Sequence, residues 1–272
     1  MDLTITREKF NNFLRSIKIM ENACTDCDIV NGKVRQKTNS GHCIIEMDLN
    51  DIFTANCNFT ISQLKQKINL LKIFEKDDAA GQGGQDDNVL YKDNDTTYII
   101  ADNISEITFR KPLKKFLDNV YIDDNEIVKK LNASDEDLLF EHTISANVGK
   151  RIKNVCEGFF NDVICCKVRN SQAGFYIATT NNEQYSDVVK GIVLNKVESD
   201  DYDFNIQSFA FTLESGDIKL KVYRKGKVLL WKFYQTIFNI PVIISGRSDV
   251  QPIKKVEAVS EPEKKTAMNL NI

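Results

Sequence analysis

Apolar and polar residues alternate with period two at the start of the chain, where Leu3 and Ile5 interleave with Thr4 and Thr6. The period then becomes helical. Phe10, Phe13 or Leu14, and Ile17 make one stripe behind Thr6, a residue type that caps helices. Residues 24–30 and 33–37 are strand-like on either side of Asn31-Gly32, a two-residue hairpin turn. After a turn at 39–41, Cys43, Ile45 and Met47 alternate with Ile44, Glu46 and Asp48. The same change of period recurs between 57 and 74: Phe59 and Ile61 alternate with polar neighbours, and Leu64, Ile68 and Leu71 follow at helical spacing. Residues 89–92 and 97–101 predict a hairpin, and 105–110 a closing strand that ends at Lys111-Pro112, since proline cannot donate to the ladder.

The second half repeats this grammar. Residues 141–145 echo Leu3 to Thr6, and a helix follows with Val148, Ile152, Val155 and Phe159 on one side. Strands are predicted at 162–168, 174–180 and 188–197. Phe204-Asn205-Ile206 then matches Phe59-Thr60-Ile61 and leads into a predicted helix at 208–213. A hairpin (218–223, 228–233) and a strand at 240–245 complete the series. The order strand, helix, meander thus occurs about four times, twice in each half, which predicts a duplicated unit. The expected organisation is a first domain at 1–117, an acidic connector at 118–140, a second domain at 141–248 and a charged, Pro-punctuated tail at 249–272, expected to be disordered.

Composition narrows the chemistry. The formal net charge is -3 with 28% charged residues, and no stretch approaches the roughly 20 apolar residues of a membrane span. The N-terminus lacks a basic region followed by an apolar one, so no secretory signal is expected, and the seven scattered cysteines are expected to be reduced inside a cell. His42 and His142 are the only histidines and have no local catalytic partners. Cys24-x-x-Cys27 resembles half a zinc site, but strand alternation would send the two thiols to opposite faces. The glycines of 77–87 lack a following Gly-Lys-Ser/Thr and sit among aspartates that repel phosphate. The expectation is a protein without catalytic residues, metal or cofactor.

Basic side chains recur on the helices: Arg7, Arg15 and Lys18 on the first, Lys65 and Lys72 on the second, Lys150, Arg151 and Lys153 on the third. A plain solvent-facing helix surface would account for any one of these stripes. The connector is acidic but carries Tyr121 and Ile122 among its carboxylates.

This order of elements resembles the DNA polymerase sliding clamps, especially the two-domain clamps of phages and the related eukaryotic and archaeal proliferating cell nuclear antigens. The run Asp217-Ile218-Lys219-Leu220-Lys221-Val222-Tyr223-Arg224-Lys225-Gly226-Lys227, with Lys232-Phe233 after it, is similar to a clamp's penultimate hairpin. Residues 39–47, 44–74 and 105–112 are similar to the loop beside a clamp's partner pocket, its third strand through second helix, and its domain-closing strand. The likeness spans roughly residues 1–248; the 77–87 loop is longer than a clamp needs, and so is the tail.

The resemblance implies an α+β DNA-clamp fold: two similar domains with antiparallel sheets outside and two helices each on the inner face, three chains closing into a ring. It implies a sliding clamp that encircles double-stranded DNA without sequence preference and tethers a DNA polymerase, with a clamp loader as partner, no membrane and no cofactor. Arg7, Arg15, Lys18, Lys65, Lys72, Lys150, Arg151 and Lys153 would then face DNA. A partner-peptide pocket would lie at His42, Cys43, Ile45, Met47, Tyr121, Ile122, Pro241 and Val242. The subunit interface would pair Ser105, Ile107 and Phe109 with Phe175, Ile177 and Thr179 of a neighbour. An intracellular location at replication sites is implied, in the host cytoplasm for a phage protein. The alternative is a monomeric or dimeric clamp-fold polymerase accessory factor that binds DNA by its basic face without encircling it.

Overall fold

The structure, a computed structural model, describes residues 2–53, 57–75, 88–123, 129, 131–158, 163–169, 172–178, 188–196, 202–211 and 216–249. The first half runs β1 (Asp2–Thr6), α1 (Arg7–Ile17), β2 (Cys27–Val30), β3 (Lys33–Lys37), β4 (Cys43–Asp48), β5 (Phe59–Ile61), α2 (Leu64–Leu71), β6 (Asn88–Asp93), β7 (Thr97–Ala101) and β8 (Glu106–Arg110). The second runs β9 (Leu138–Ile144), α3 (Ala146–Gly158), β10 (Val163–Arg169), β11 (Gln172–Ala178), β12 (Val188–Lys196), β13 (Tyr202–Gln207), β14 (Ile218–Lys225), β15 (Val228–Ile237) and β16 (Ile240–Asp249).

Local chemistry sets the joints. Thr6 is extended and its Oγ1 accepts from the Lys9 N–H at 3.4 Å, supplying one of the hydrogen bonds that a helix start lacks. Asn31 and Gly32 both have positive φ, 53° and 69°, the geometry of a turn whose twist matches its strands. Phe238 and Asn239 do the same between β15 and β16, at 48° and 66°. Both α1 and α2 end in a 3-10 turn, Lys18–Met20 and Lys72–Phe74.

All strand pairs are antiparallel. They form two four-stranded sheets, β1-β6-β7-β8 and β12-β11-β10-β13, and an eight-stranded sheet, β5-β2-β3-β4-β16-β15-β14-β9. The duplication is explicit in this order. The pairings β5-β2-β3-β4 and β1-β6-β7-β8 of the first half recur as β13-β10-β11-β12 and β9-β14-β15-β16 in the second. The halves join where β4 pairs with β16, with Ile45 opposite Ile244.

An aromatic cluster fills the space beneath α1. Phe13 meets Phe53 and Phe59 edge-on at 4.9 and 6.3 Å, Phe59 contacts Tyr91 and Tyr98, and Tyr98 stacks on Phe109 at 5.1 Å. Each such side chain contributes about 1.5–3 kcal/mol by leaving water. In the second half Phe211 and Trp231 pack on Phe233.

Two sequence expectations change here. The helix expected at 208–213 is a single 3-10 turn, Ser208–Ala210, with 212–215 outside the described residues. Its counterpart α2 continues through Leu64, Ile68 and Leu71, whereas here the backbone is already extended at the buried Phe211, which ends the turn. Cys24 and Cys27 bury in one core rather than on opposite faces, because the chain between them precedes the strand. The tail at 250–272 lies outside the described residues.

Candidate functional site

The cations expected to face DNA divide into three groups. Lys18, Lys65, Lys72, Lys150 and Arg151 are exposed. Lys65, Lys150 and Arg151 lie outside the buried stripes Leu64-Ile68-Leu71 and Ile152-Cys156 of α2 and α3, and Lys18 and Lys72 begin the 3-10 turns that follow α1 and α2. Arg15 and Lys153 are partly covered: the Arg15 guanidinium lies 5.2 Å from the centre of the Phe238 ring, and Lys153 pairs with Glu157 one turn on at 3.4 Å. Arg7 is a correction. It is only 3% exposed, donates to the Phe74 carbonyl at 2.6 Å and pairs with Asp102 at 2.9 Å. As the first residue of α1 it points back toward the β7–β8 turn, so its charge is spent inside the fold.

Asp102 is tuned by that contact. Burial pushes its carboxyl up, but the N–H groups of Ile104 and Ser105 and the Arg7 guanidinium outweigh burial and hold it below the ordinary aspartate value.

The connector is stitched to the first half through buried carboxylates. Asp26 accepts from the Asp118 N–H at 2.9 Å and the Gln63 N–H at 3.1 Å. Asp28 accepts from the Tyr121 N–H at 3.0 Å and the Thr60 hydroxyl at 2.7 Å. Asn119 Oδ1 receives the Thr25 and Asp26 N–H groups, and the Ile122 N–H donates to the Arg35 carbonyl at 2.7 Å. Sequence reasoning missed Asp26, Asp28 and Asn119; the only signal for Asp26 and Asp28 was polarity inside a strand-like run, and Asn119 carried none inside the polar connector.

Beside the connector lies a cavity of about 390 Å³. Ile44, Leu131, Val228 and Leu230 line it, and Lys37, Lys129, Lys225 and Arg247 stand around it with His42 and Ser245. Ile122 and Tyr223 join Ile44, Leu131 and Leu230 in a small apolar cluster apart from the main core.

Of the residues expected to form a partner pocket, His42 lines this cavity and Ile122 packs behind it. Cys43, Ile45, Met47 and Val242 are corrections: all are at most 2% exposed in the main core. Side chains alternate along β4, so those residues face inward and Ile44 faces the cavity. Pro241 is exposed at the far end of β16, and Tyr121 bridges Gln36 beside the cavity without lining it.

The expected interface strands also divide. β8, carrying Ile107 and Phe109 with Ser105 just before it, is a sheet edge. The strand expected to receive it is not an edge: β11, with Phe175 and Ile177, lies between β10 and β12. Thr179 lies outside the described residues. The edge strand of that sheet is β12. Three strands in that segment alternate similarly, so hydrophobicity could not identify the outer one.

Among the described residues, no three His, Cys, Asp or Glu side chains group closely enough to hold a metal ion. Burial pushes the Cys24 thiol up to about 11 and the Cys43 thiol to about 12, away from the thiolate that nucleophilic or metal-binding chemistry uses. No described helix is long and apolar enough to cross a membrane.

No protein-family model matches the sequence, and neither does the sequence of any curated protein. The fold is similar to solved structures. One is the PCNA2–PCNA3 complex from Sulfolobus tokodaii, at 14% identity and TM-score 0.58, covering 91% of this chain and 99% of that one. Another is A. fulgidus PCNA with the C-terminal region of FEN-1 bound, at 12% and 0.53, covering 92% and 99%. A third is the proliferating cellular nuclear antigen of Entamoeba histolytica, at 11% and 0.56, covering 91% and 98%. The chain therefore has an α+β, clamp-type fold of antiparallel sheets and a few short helices.

Proposed function

We propose that this chain is a sliding clamp: three copies close into a ring around duplex DNA and tether a DNA polymerase to it. One observation carries the reading. Within the chain, β4 of the first unit pairs with β16 of the second. Their counterparts under the duplication are β12 and β8, and both are sheet edges. A neighbour's β8 laid on β12 would repeat the internal joint between subunits. Such a head-to-tail contact closes into a ring when the rotation permits, and it covers two edges that otherwise invite aggregation.

Lys18, Lys65, Lys72, Lys150 and Arg151 suit the bore of such a ring, being exposed on or at the ends of helices whose apolar stripes are buried. Contacts from mobile lysines to phosphate carry no sequence information, so they hold no fixed register and permit sliding. Retention on DNA then comes from closure rather than affinity. In this reading 1–117 and 141–248 are the repeated domains and 118–140 the connector. The cavity beside the connector takes apolar anchors from the polymerase and other replication proteins, and a clamp loader opens the ring.

Light scattering over a dilution series tests the assembly. A species of about 93 kDa, three times the 31.0 kDa chain, is expected. The trimer should remain on nicked circular DNA and run off when the circle is linearised. A 31.0 kDa species at every concentration, lost equally from both DNA forms, would replace the ring with an accessory factor that binds DNA without encircling it.

A further inference from the structure

The geometry points to an acidic segment as the occupant of the connector cavity: a peptide of a protein partner with apolar anchors flanked by aspartate or glutamate. This inference rests on the reading of the cavity as a partner site and adds its charge preference.

Strand register defines the face around the cavity. Lys37 lies opposite Ile44, Ile44 opposite Ser245, Ser245 opposite Lys232, and Lys232 opposite Lys221, so these five residues form one row across the sheet. In the next row Arg247 lies opposite Leu230 and Leu230 opposite Tyr223. Of the acids near this face, Glu46 pairs with Arg35 at 2.9 Å, Glu141 bridges Lys219 and Lys221 at 2.6 and 3.2 Å, and Asp135 acts on Lys221 and Tyr223 at the end away from Lys37. Around the cavity itself stand four cations and, among the described residues, no carboxylate.

Two groups of the first row, Ser245 and Lys232, add to this. Ser245 is 1% exposed, and its hydroxyl has no hydrogen-bond partner among the described residues. A buried hydroxyl left without a partner costs about 1–3 kcal/mol, which a ligand oxygen would recover. Lys232, opposite it, is only partly exposed and lies 5.9 Å from the centre of the Tyr223 ring. Burial lowers its pKa, and a carboxylate placed nearby would stabilise its ammonium form.

The apolar floor favours peptide over nucleic acid. Ile44, Leu131, Val228 and Leu230 are aliphatic, so they offer anchor side chains a dry surface and offer a base no aromatic ring to stack on.

Two fluorescein-labelled peptides test the inference. Both carry the same leucine and phenylalanine anchors; one is flanked by aspartates, the other by lysines. Anisotropy on the full chain should show the acidic peptide binding at least about tenfold more tightly, with a preference that falls as salt rises. The double variant Lys37→Glu/Arg247→Glu should abolish that preference, and an unchanged circular dichroism spectrum would exclude misfolding. Equal binding of the two peptides, or tighter binding of the basic one, would overturn the charge assignment while leaving the partner site standing. Failure of both peptides to bind would remove the partner site itself. Displacement of the acidic peptide by a short DNA duplex would make the cationic rim a phosphate surface instead.

Discussion

Gly246 faces Trp231 across the β15–β16 ladder, and a methyl group there would sit 2.1 Å from the indole Cζ2. Trp231 is 1% exposed and wedged on Phe233, so it has nowhere to move. Gly246→Ala is expected to cost about 3 kcal/mol or more by overpacking, read as a lower urea midpoint with an unchanged slope. Arg7 and Arg15 show how one residue type serves two ends. Arg7→Ala leaves the Phe74 carbonyl unpaired and Asp102 with only its backbone N–H partners, and should destabilise the protein by about 1–3 kcal/mol, whereas Arg15→Ala removes one partly exposed cation–ring pairing worth about 0.5–1 kcal/mol. Asp102 also sets an acid limit. Its folded pKa lies below its unfolded value, so the unfolded chain binds the extra proton first. The stability it contributes is complete above about pH 4–5 and disappears as pH falls through the depressed folded value. Acid titrations followed by tryptophan fluorescence should show a shallower loss of stability below about pH 4 in Asp102→Asn than in the parent chain.

At the scale of elements, the helices divide their work by face. Phe10, Phe13, Leu14 and Ile17 hold α1 in the core, and Leu64, Ile68 and Leu71 hold α2. The opposite faces are therefore free to change charge without unfolding. The triple variant Lys65→Glu/Lys72→Glu/Lys150→Glu should keep the parent's melting temperature within about 2 °C. It should reduce the salt slope of duplex binding by about one for each phosphate that a replaced lysine had neutralised. An unchanged slope would remove these helices from the DNA face. The β4 strand was legible as a strand but not in its orientation, because Cys43, Ile44, Ile45 and Met47 put apolar groups on both faces. The pairing with β16 fixed the matter by burying Ile45 against Ile244. The connector likewise depends on partners remote in sequence: Asp26 and Asp28 receive the N–H groups of Asp118 and Tyr121 more than ninety residues later.

For the whole molecule, the two unmatched edges carry the most weight. Lys111 N–H donates to the Thr96 carbonyl, and Asp102 N–H to the Ser105 carbonyl. These bonds set the alternation along β8: Ile107 and Phe109 bond toward β7, and the N–H groups of Glu106, Thr108 and Arg110 turn to the open edge. Thr108 is exposed, so Thr108→Pro removes only an outward donor. It should leave the fold intact by circular dichroism while shifting the light-scattering mass from the trimer to the 31.0 kDa chain. A trimer that survives this change would place the subunit contact elsewhere.

The local elements and their repetition were legible from the order of residues. Period two and period 3.6 are properties of neighbouring residues, and a helix or strand must bury the face that they define. That order therefore announced α1, α2 and α3, nearly every strand, the Asn31-Gly32 turn and the doubled series of units. Long-range packing settled that Arg7 is inside, that Ile44 rather than Ile45 faces the cavity, and that β12 rather than β11 is the edge. Each of these depends on a contact between residues distant in sequence: Arg7 with Asp102, β4 with β16, β10 between β11 and β13. Local periodicity says that a strand has two faces and two edges; only the packed chain says which of them is left open.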